Sequence, residues 1–192
     1  YRTKETDHVD AEFNRIYERH FMNLQQVRYT PLEEQGNMLV ISYGDFMDEM
    51  EPFVEWKRMT GIPIEMVDVA TIGNSAQIAS YVADYYNTYG LTFLLLVGDA
   101  EQVPTRAYGG VSASDNSYGF IAGNDSYAEV FVGRFSAETP EQVATQVERV
   151  INYEKNPLTA TDWFTRHAGI ASSQGPGDDD ELDYEHMRNI QT

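Results

Sequence analysis

The residues best able to do chemistry are acids in loops that follow apolar, strand-like runs. Asp99 follows the run Leu91–Val97, and Asp125 and Glu129 lie in a later segment rich in Gly and Asn. In an open α/β sheet, ligands collect beyond the carboxyl ends of the strands, and calcium is bound by carboxylate and carbonyl oxygens. These three acids are interpreted as one calcium site. The alternative is turn chemistry, since Gly-Asn-Asp favours a tight turn without any ion.

A second acidic cluster lies near the end of the sequence, within residues 178–185. It predicts either a cation site, for a metal or for an Arg or Lys side chain of a substrate, or an ordinary solvated loop. His186 follows Glu185 directly, so it is either a metal ligand or a residue on a helix surface.

Composition excludes several function classes. Thirteen Lys and Arg against 31 Asp and Glu give a net charge of −18, which opposes nucleic-acid binding and favours cationic partners. With no cysteine, disulfides, zinc–thiolate sites and a Cys nucleophile within this sequence are excluded. Neither a G-x-G-x-x-G nor a G-K-[ST] phosphate loop occurs. The longest apolar run, Phe93–Val97, is far shorter than the ~18 residues of a membrane span, and Tyr1–Asp10 has no apolar core of a signal peptide.

The elements that must position these acids alternate along the chain. Short apolar runs predict strands, and amphipathic stretches predict helices. The predicted strands are Met38–Tyr43, Ile62–Val69 and Leu91–Val97, and the predicted helices are Asp45–Thr60, with Pro52 as a candidate restart, and Ser75–Tyr89, with Ser75 as cap and Gly90 as stop. This order is typical of an open, mostly parallel α/β sheet flanked by helices.

Three further segments contain predicted strands or helices. A loop-rich middle region carries short strands at Ser117–Ile121 and Ala128–Val132, followed by a helix over Thr139–Asn156. His167–Ser172 is predicted to be a central strand that leads into the acidic cluster. Before residue 30, a polar lead-in contains a helix, capped by Asp7 or Asp10, with this apolar stripe: Phe13, Ile16, Tyr17 and Phe21.

Four stretches together resemble one known family, the gingipains, which are secreted bacterial cysteine peptidases with a caspase-like α/β catalytic domain. They are Arg28–Glu34 (RYTPLEE), Leu95–Asp99 (LLVGD), Gly123–Ser136 (GNDSYAEVFVGRFS) and Ile170–Ser173 (IASS). The likeness runs in order over about residues 28–190, and GND-x-Y-x-EVFVGRFS is its most specific part.

The resemblance implies a three-layer α/β/α caspase-like fold and a zymogen. Residues 1–28 would be the tail of a propeptide, and residues 29–192 the N-terminal subdomain of a catalytic domain that is incomplete at its C-terminus. The catalytic His and Cys of the family lie downstream of such a segment, so this fragment alone should hydrolyse nothing. The expected partners are Arg-containing protein substrates, the remaining catalytic subdomain and the propeptide.

The resemblance also implies metal ligands. A first Ca²⁺ site falls on Asp99, Asp125 and Glu129, the acids already grouped above, with the carbonyls of Ala122 and Tyr127. A second calcium site maps to Glu181 and His186.

The substrate site follows from the same resemblance. Asp183 maps to the acid that confers arginine preference, through a bidentate pair with a guanidinium that Lys cannot reproduce. Where the family has a carboxylate that orients the catalytic His, this sequence has Gln174, whose amide can accept a hydrogen bond from an imidazole but cannot stabilise imidazolium by charge. The Pro-bounded linker after the lead-in helix predicts maturation cleavage between Arg28 and Tyr29.

The sequence therefore predicts the N-terminal part of a secreted or cell-surface, calcium-binding cysteine endopeptidase that cleaves after Arg. One alternative is a catalytically dead, calcium-dependent binding or scaffold domain on the same fold. Another is an unrelated flavodoxin-like or receiver module, which the loop-rich middle and the missing phosphate loop disfavour.

Overall fold

A computed structural model describes residues 8–9, 15–16, 19–20, 30–31, 36–108, 112–123, 126–157, 165–166, 168–175 and 180–191. The chain forms two units, Tyr1–Asn152 and Tyr153–Thr192. The strands are β1 (His8–Val9), β2 (Thr30–Pro31), β3 (Met38–Ser42), β4 (Ile64–Asp68), β5 (Phe93–Val97), β6 (Ala107–Tyr108), β7 (Ser112–Ala113) and β8 (Phe131–Phe135). The helices are α1 (Met47–Met59), α2 (Ser75–Tyr89), α3 (Pro140–Lys155) and α4 (Asp183–Gln191).

The first unit is built on a parallel four-stranded sheet with the order β4-β3-β5-β8. In its register, Val40 of β3 lies opposite Met66 of β4 on one side and Leu95 of β5 on the other. Every residue of β3 and all but the first of β5 are buried. Such burial is typical of central strands in a sheet that is covered on both faces.

Successive residues of a strand point to opposite faces, and the two faces of the sheet carry separate apolar cores. Val40 joins the core packed under α1 and α3, with contributions from Met50 and Val143. Its neighbours Leu39 and Ile41 join the other core, under α2. Helices therefore cover both faces, and the predicted three-layer α/β/α arrangement is confirmed.

The helix ends follow local chemistry, with one correction. The cap of α2 is Asn74 and not Ser75, because Asn74 has the extended backbone that a cap requires and its side chain accepts the N–H groups of Ala76 and Gln77. The predicted stop is confirmed, since Gly90 has a φ of 74° that favours glycine. Helix α1 runs through Pro52 without restarting there.

Three predicted strands are wrong or displaced. The predicted strand Ser117–Ile121 is a 3₁₀ turn over Asp115–Gly119, in which the Ser117 hydroxyl donates to the Ser114 carbonyl at 2.7 Å. The predicted strand Ala128–Val132 forms later, as β8. Residues 168–172 are not a strand in the described structure: they pair with no described strand, and Ile170 is 90% exposed. An apolar run becomes a strand only where a neighbour supplies the backbone hydrogen bonds.

The lead-in is described in short pieces. Strands β1 and β2 pair in parallel, and residues 15–16 and 19–20 are helical. Ile16 is 40% exposed, which does not fit its predicted place on a buried stripe. Phe13, Tyr17 and Phe21 of the same stripe and the predicted caps lie outside the described residues. Among the described helices, none has the length and apolar character of a transmembrane span.

Candidate functional site

Asp99 is held where β5 ends beside β8. Its backbone N–H lies 2.9 Å from the Ala137 carbonyl and 3.1 Å from the side-chain carbonyl of Gln102. One carboxylate oxygen, Oδ1, accepts from the Ala100 N–H at 2.8 Å and the Ser136 hydroxyl at 3.2 Å. The sheet therefore fixes this acid at its carboxyl edge, as the sequence predicts.

Glu129 is a buried acid, with only 6% of its surface exposed. Its Oε2 accepts the backbone N–H groups of Ile121 and Ala122, at 2.9 and 2.8 Å. Its own N–H donates to the Gly119 carbonyl at 2.9 Å. Because a buried carboxylate is costly unless hydrogen bonds or a cation compensate it, this geometry ties Glu129 to the predicted ligand Ala122. Tyr127, by contrast, is 67% exposed.

The predicted ligands of the first site have the atom type that calcium prefers, but the described part of the chain does not contain the whole predicted set. Asp99, Glu129 and the carbonyls of Ala122 and Tyr127 are all oxygen ligands, which calcium prefers. Asp125, the third predicted acid, lies outside the described residues. Among the residues that are described, no group of three or more His, Asp or Glu side chains is placed to hold a metal ion.

An ion pair that the sequence analysis missed joins the loops of this region. The Arg134 guanidinium binds the Asp115 carboxylate through two bonds of 2.7 Å, from Nε to Oδ2 and from Nη2 to Oδ1. Its Nη1 donates to the carbonyl oxygens of Gly98, at 2.7 Å, and Val103, at 3.0 Å. Arg134 thus fixes both the residue that precedes Asp99 and the loop beyond it. The sequence feature that could have indicated this ion pair is a lone arginine inside the otherwise apolar strand β8.

A buried tyrosine supports the same loops. Tyr118, 1% exposed, donates its hydroxyl to the Pro104 carbonyl at 2.6 Å. Burial raises the pKa of Tyr118 to about 12, and the nearby Asp115 carboxylate adds to the rise. The guanidinium of Arg106 donates to the Ser117 carbonyl at 2.8 Å.

In the second unit, the predicted substrate acid is part of a small hydrogen-bonded ring. The Ser172 hydroxyl donates to Asp183 Oδ2 at 2.5 Å and accepts the Gln174 N–H at 3.0 Å. The Asp183 N–H, at the start of α4, donates to the Gln174 carbonyl at 3.0 Å. The structure therefore brings Gln174 and Asp183 together, and both are exposed.

The predicted second metal pair is also adjacent. Glu181 accepts the side-chain amide of Asn189 at 2.8 Å, and its Oε2 lies 3.5 Å from Nδ1 of His186. The imidazole nitrogen suits calcium poorly, since calcium takes oxygen ligands. The donor set for a second calcium is thus weaker than that of the first. The predicted processing residues Arg28 and Tyr29 lie outside the described residues.

The sequence profile of peptidase family C25 matches residues 31–192. This chain belongs to peptidase family C25. Among curated members, it is 40% identical to gingipain R2 of Porphyromonas gingivalis over 187 residues and 40% identical to gingipain R1 of the same species over 189 residues. Lys-gingipain of that species is 27% identical over 178 residues.

The C25 chain covers only part of each relative. The match to gingipain R2 covers 93% of this chain and 25% of that protein. The match to gingipain R1 covers 94% of this chain and 19% of that protein, and the match to Lys-gingipain covers 85% of this chain and 10% of that protein. The crystal structure of the Arg-specific cysteine proteinase gingipain R matches with a TM-score of 0.72 and 38% identity, over 85% of this chain and 40% of that one. The complex of P. gingivalis RgpB pro- and mature domains has the same score and identity, over 81% of this chain and 38% of that one.

Proposed function

We propose that this chain is the N-terminal part of a C25 cysteine endopeptidase that cleaves after arginine. The observation that carries the proposal is the contrast in identity, 40% to gingipains R1 and R2 against 27% to Lys-gingipain. The match to a solved Arg-specific cysteine proteinase supports the same assignment.

Asp183 is the proposed partner of the substrate arginine. It is the first residue of α4, its side chain is exposed, and a hydroxyl already fixes one carboxylate oxygen. A carboxylate held in one orientation can form two parallel bonds with a planar guanidinium, whereas a Lys ammonium meets it as a point charge.

The remaining catalytic groups come from the rest of the enzyme in this proposal. These 192 residues contain no cysteine, so the thiolate must be supplied by the downstream subdomain. Gln174 would face the catalytic His and accept its N–H. The pro- and mature-domain complex of a relative supports a propeptide partner. In this proposal the propeptide is released between Arg28 and Tyr29, and the enzyme is secreted or lies at the cell surface.

Calcium is the proposed structural cofactor of the first unit. Asp99, Asp125 and Glu129 would bind it with the carbonyls of Ala122 and Tyr127, and the ion would neutralise the charge of these three carboxylates. The site at Glu181 and His186 stays a prediction.

One observation favours a second candidate function. By the family resemblance, Gln174 replaces the carboxylate that would stabilise an imidazolium, which is compatible with a catalytically dead, calcium-dependent binding domain. A full-length protein that binds calcium but cleaves neither Arg nor Lys peptides would support this candidate.

The test of Arg specificity is Asp183→Asn in the full-length enzyme, assayed on matched peptides with Arg or Lys before the scissile bond. Loss of the charge from a desolvated Arg–carboxylate pair costs about 2–5 kcal/mol, so kcat/KM for Arg should fall roughly thirtyfold or more. Asp180→Asn is the matched control, because it removes the same charge from an exposed loop residue, and Asn also tolerates its φ of 60°. Equal activity of the two variants would refute the assignment.

A further inference from the structure

Ser172 occupies a central place in the hydrogen-bonded ring of the second unit. Its one hydroxyl donates to the Asp183 carboxylate and accepts the Gln174 N–H. The backbone of Asp183 is bound separately, through the Gln174 carbonyl. The main chain therefore places Asp183, and the Ser172 hydroxyl sets the direction of its side chain.

We infer that Ser172 is a positioning residue for substrate arginine, which it selects over lysine by holding the Asp183 carboxylate in a single orientation. The inference rests on the proposed role of Asp183. The inference adds to that role a residue, Ser172, that orients the exposed Asp183 carboxylate. Ser172 also connects Asp183 to the loop that carries Gln174.

The chemistry allows Ser172 and a guanidinium to bind together. A carboxylate oxygen has two acceptor sites, so Oδ2 can accept the serine hydroxyl and one guanidinium N–H at once. The other guanidinium N–H then meets Oδ1. Without the hydroxyl, the Asp183 side chain would be free to rotate, and two parallel bonds depend on a fixed carboxylate plane far more than one ammonium contact does.

The experiment compares Ser172→Ala, Ser172→Thr and Ser173→Ala in the full-length enzyme. Ser172→Ala should raise KM for an Arg peptide on the order of tenfold, the size of one hydrogen bond to a charged group. The kcat for Arg and the kinetics on a matched Lys peptide should change little. Ser172→Thr keeps a hydroxyl and should restore most of the Arg affinity, and Ser173→Ala removes an adjacent exposed hydroxyl and should have no effect.

The outcomes separate this inference from the function on which it rests. A large loss in Asp183→Asn with an unchanged Arg KM in Ser172→Ala would overturn the role of Ser172 and leave Arg specificity standing. No loss in Asp183→Asn would overturn both. Thermal melts of the variants check folding. Ser172 would be only a structural residue if KM rose equally for the Arg and Lys peptides and the melting temperature fell in both Ser172→Ala and Ser172→Thr.

Discussion

The two acid-bearing regions of this chain satisfy their carboxylates in different ways. In the first unit, Asp115 is bound by two charged bonds from Arg134, and buried Glu129 accepts two backbone N–H groups. In the second unit, Asp183 is bound by a serine hydroxyl and Glu181 by an asparagine amide, with Nδ1 of His186 3.5 Å from Glu181. Of these two acids, Asp183 is exposed and Glu181 is half-buried.

The contrast between Asp115 and Asp183 separates an acid that holds the fold from an acid that can meet a ligand. A charged partner in a half-buried position makes an acid part of the framework, because removing either member leaves an uncompensated charge. A neutral hydroxyl orients a carboxylate without neutralising it. The excess of acid in this protein therefore comprises at least two kinds of group, which charge and spacing alone do not distinguish.

The largest effect should come from Arg134→Met, which keeps the aliphatic length and removes the guanidinium. Asp115 would lose its charged partner, and the carbonyls of Gly98 and Val103 would lose a donor. The side chains of Arg134 and Asp115 are 11% and 26% exposed, so the loss of unfolding free energy should be about 3 kcal/mol, at the lower end for a buried pair. Urea unfolding measures it.

Arg58→Met is the matched control, since Arg58 is exposed and its bond to the Ile64 carbonyl is long, at 3.4 Å. It should change the unfolding free energy by no more than about 0.5 kcal/mol. If Arg134→Met combined with Asp115→Asn is no less stable than Arg134→Met alone, the two residues act as a pair. Equal losses in Arg134→Met and Arg58→Met would remove the contrast between framework and ligand acids.

Calcium should stabilise the first unit by a smaller amount. An ion that binds only the native state adds about 2.7 kcal/mol at a hundredfold excess over its Kd, so melts of the full-length protein with calcium and with chelator should differ by several degrees. Glu129→Gln should remove most of this increment, because the amide oxygen can still accept the N–H groups of Ile121 and Ala122 but carries no charge.

Exposed Glu138 lies in the same unit, so Glu138→Gln is the control and should keep the increment. Identical melts of the wild type with calcium and with chelator, and no heat of binding by calorimetry, would remove calcium from the first unit. Glu129 would then be a framework acid that needs no ion to compensate its charge.

How far the sequence predicts this molecule depends on the range of the interaction. The run Phe93–Val97 is continuous and apolar, so its burial on both faces follows from the residues themselves. The pairing of Asp115 with Arg134 joins residues 19 positions apart through an irregular loop, and no periodic pattern specifies it. The predicted strand His167–Ser172 fails over its described residues, 168–172, for a related reason: a strand requires a neighbour, which an apolar run cannot supply by itself.

Helix caps show the same limit on the scale of one residue. Both Asn74 and Ser75 are residue types that cap helices, and only the backbone decides between them. Helix α2 has a complete capping box, in which Asn74 accepts the N–H of Gln77 at 3.2 Å and Gln77 accepts that of Asn74 at 3.0 Å. Helix α4 of the second unit has one half of this arrangement: Glu185 accepts the Leu182 N–H at 3.0 Å, and leucine offers no side-chain acceptor in return.

The smallest predicted effect comes from the complete capping box of α2. Asn74→Ala should lower the unfolding free energy by about 1 kcal/mol, because two N–H groups in the first turn of α2 lose their acceptor. Asn87→Ala, in the same helix, is the control: it loses an exposed bond to the Ala83 carbonyl and gains helix propensity, so its net effect should be near zero or stabilising. Urea unfolding at an unchanged m-value compares the two. Equal losses of unfolding free energy would mean that the capping box stabilises α2 no more than any exposed asparagine does. The stability of α2 would then come from its buried face, which includes Ile78 and Val82.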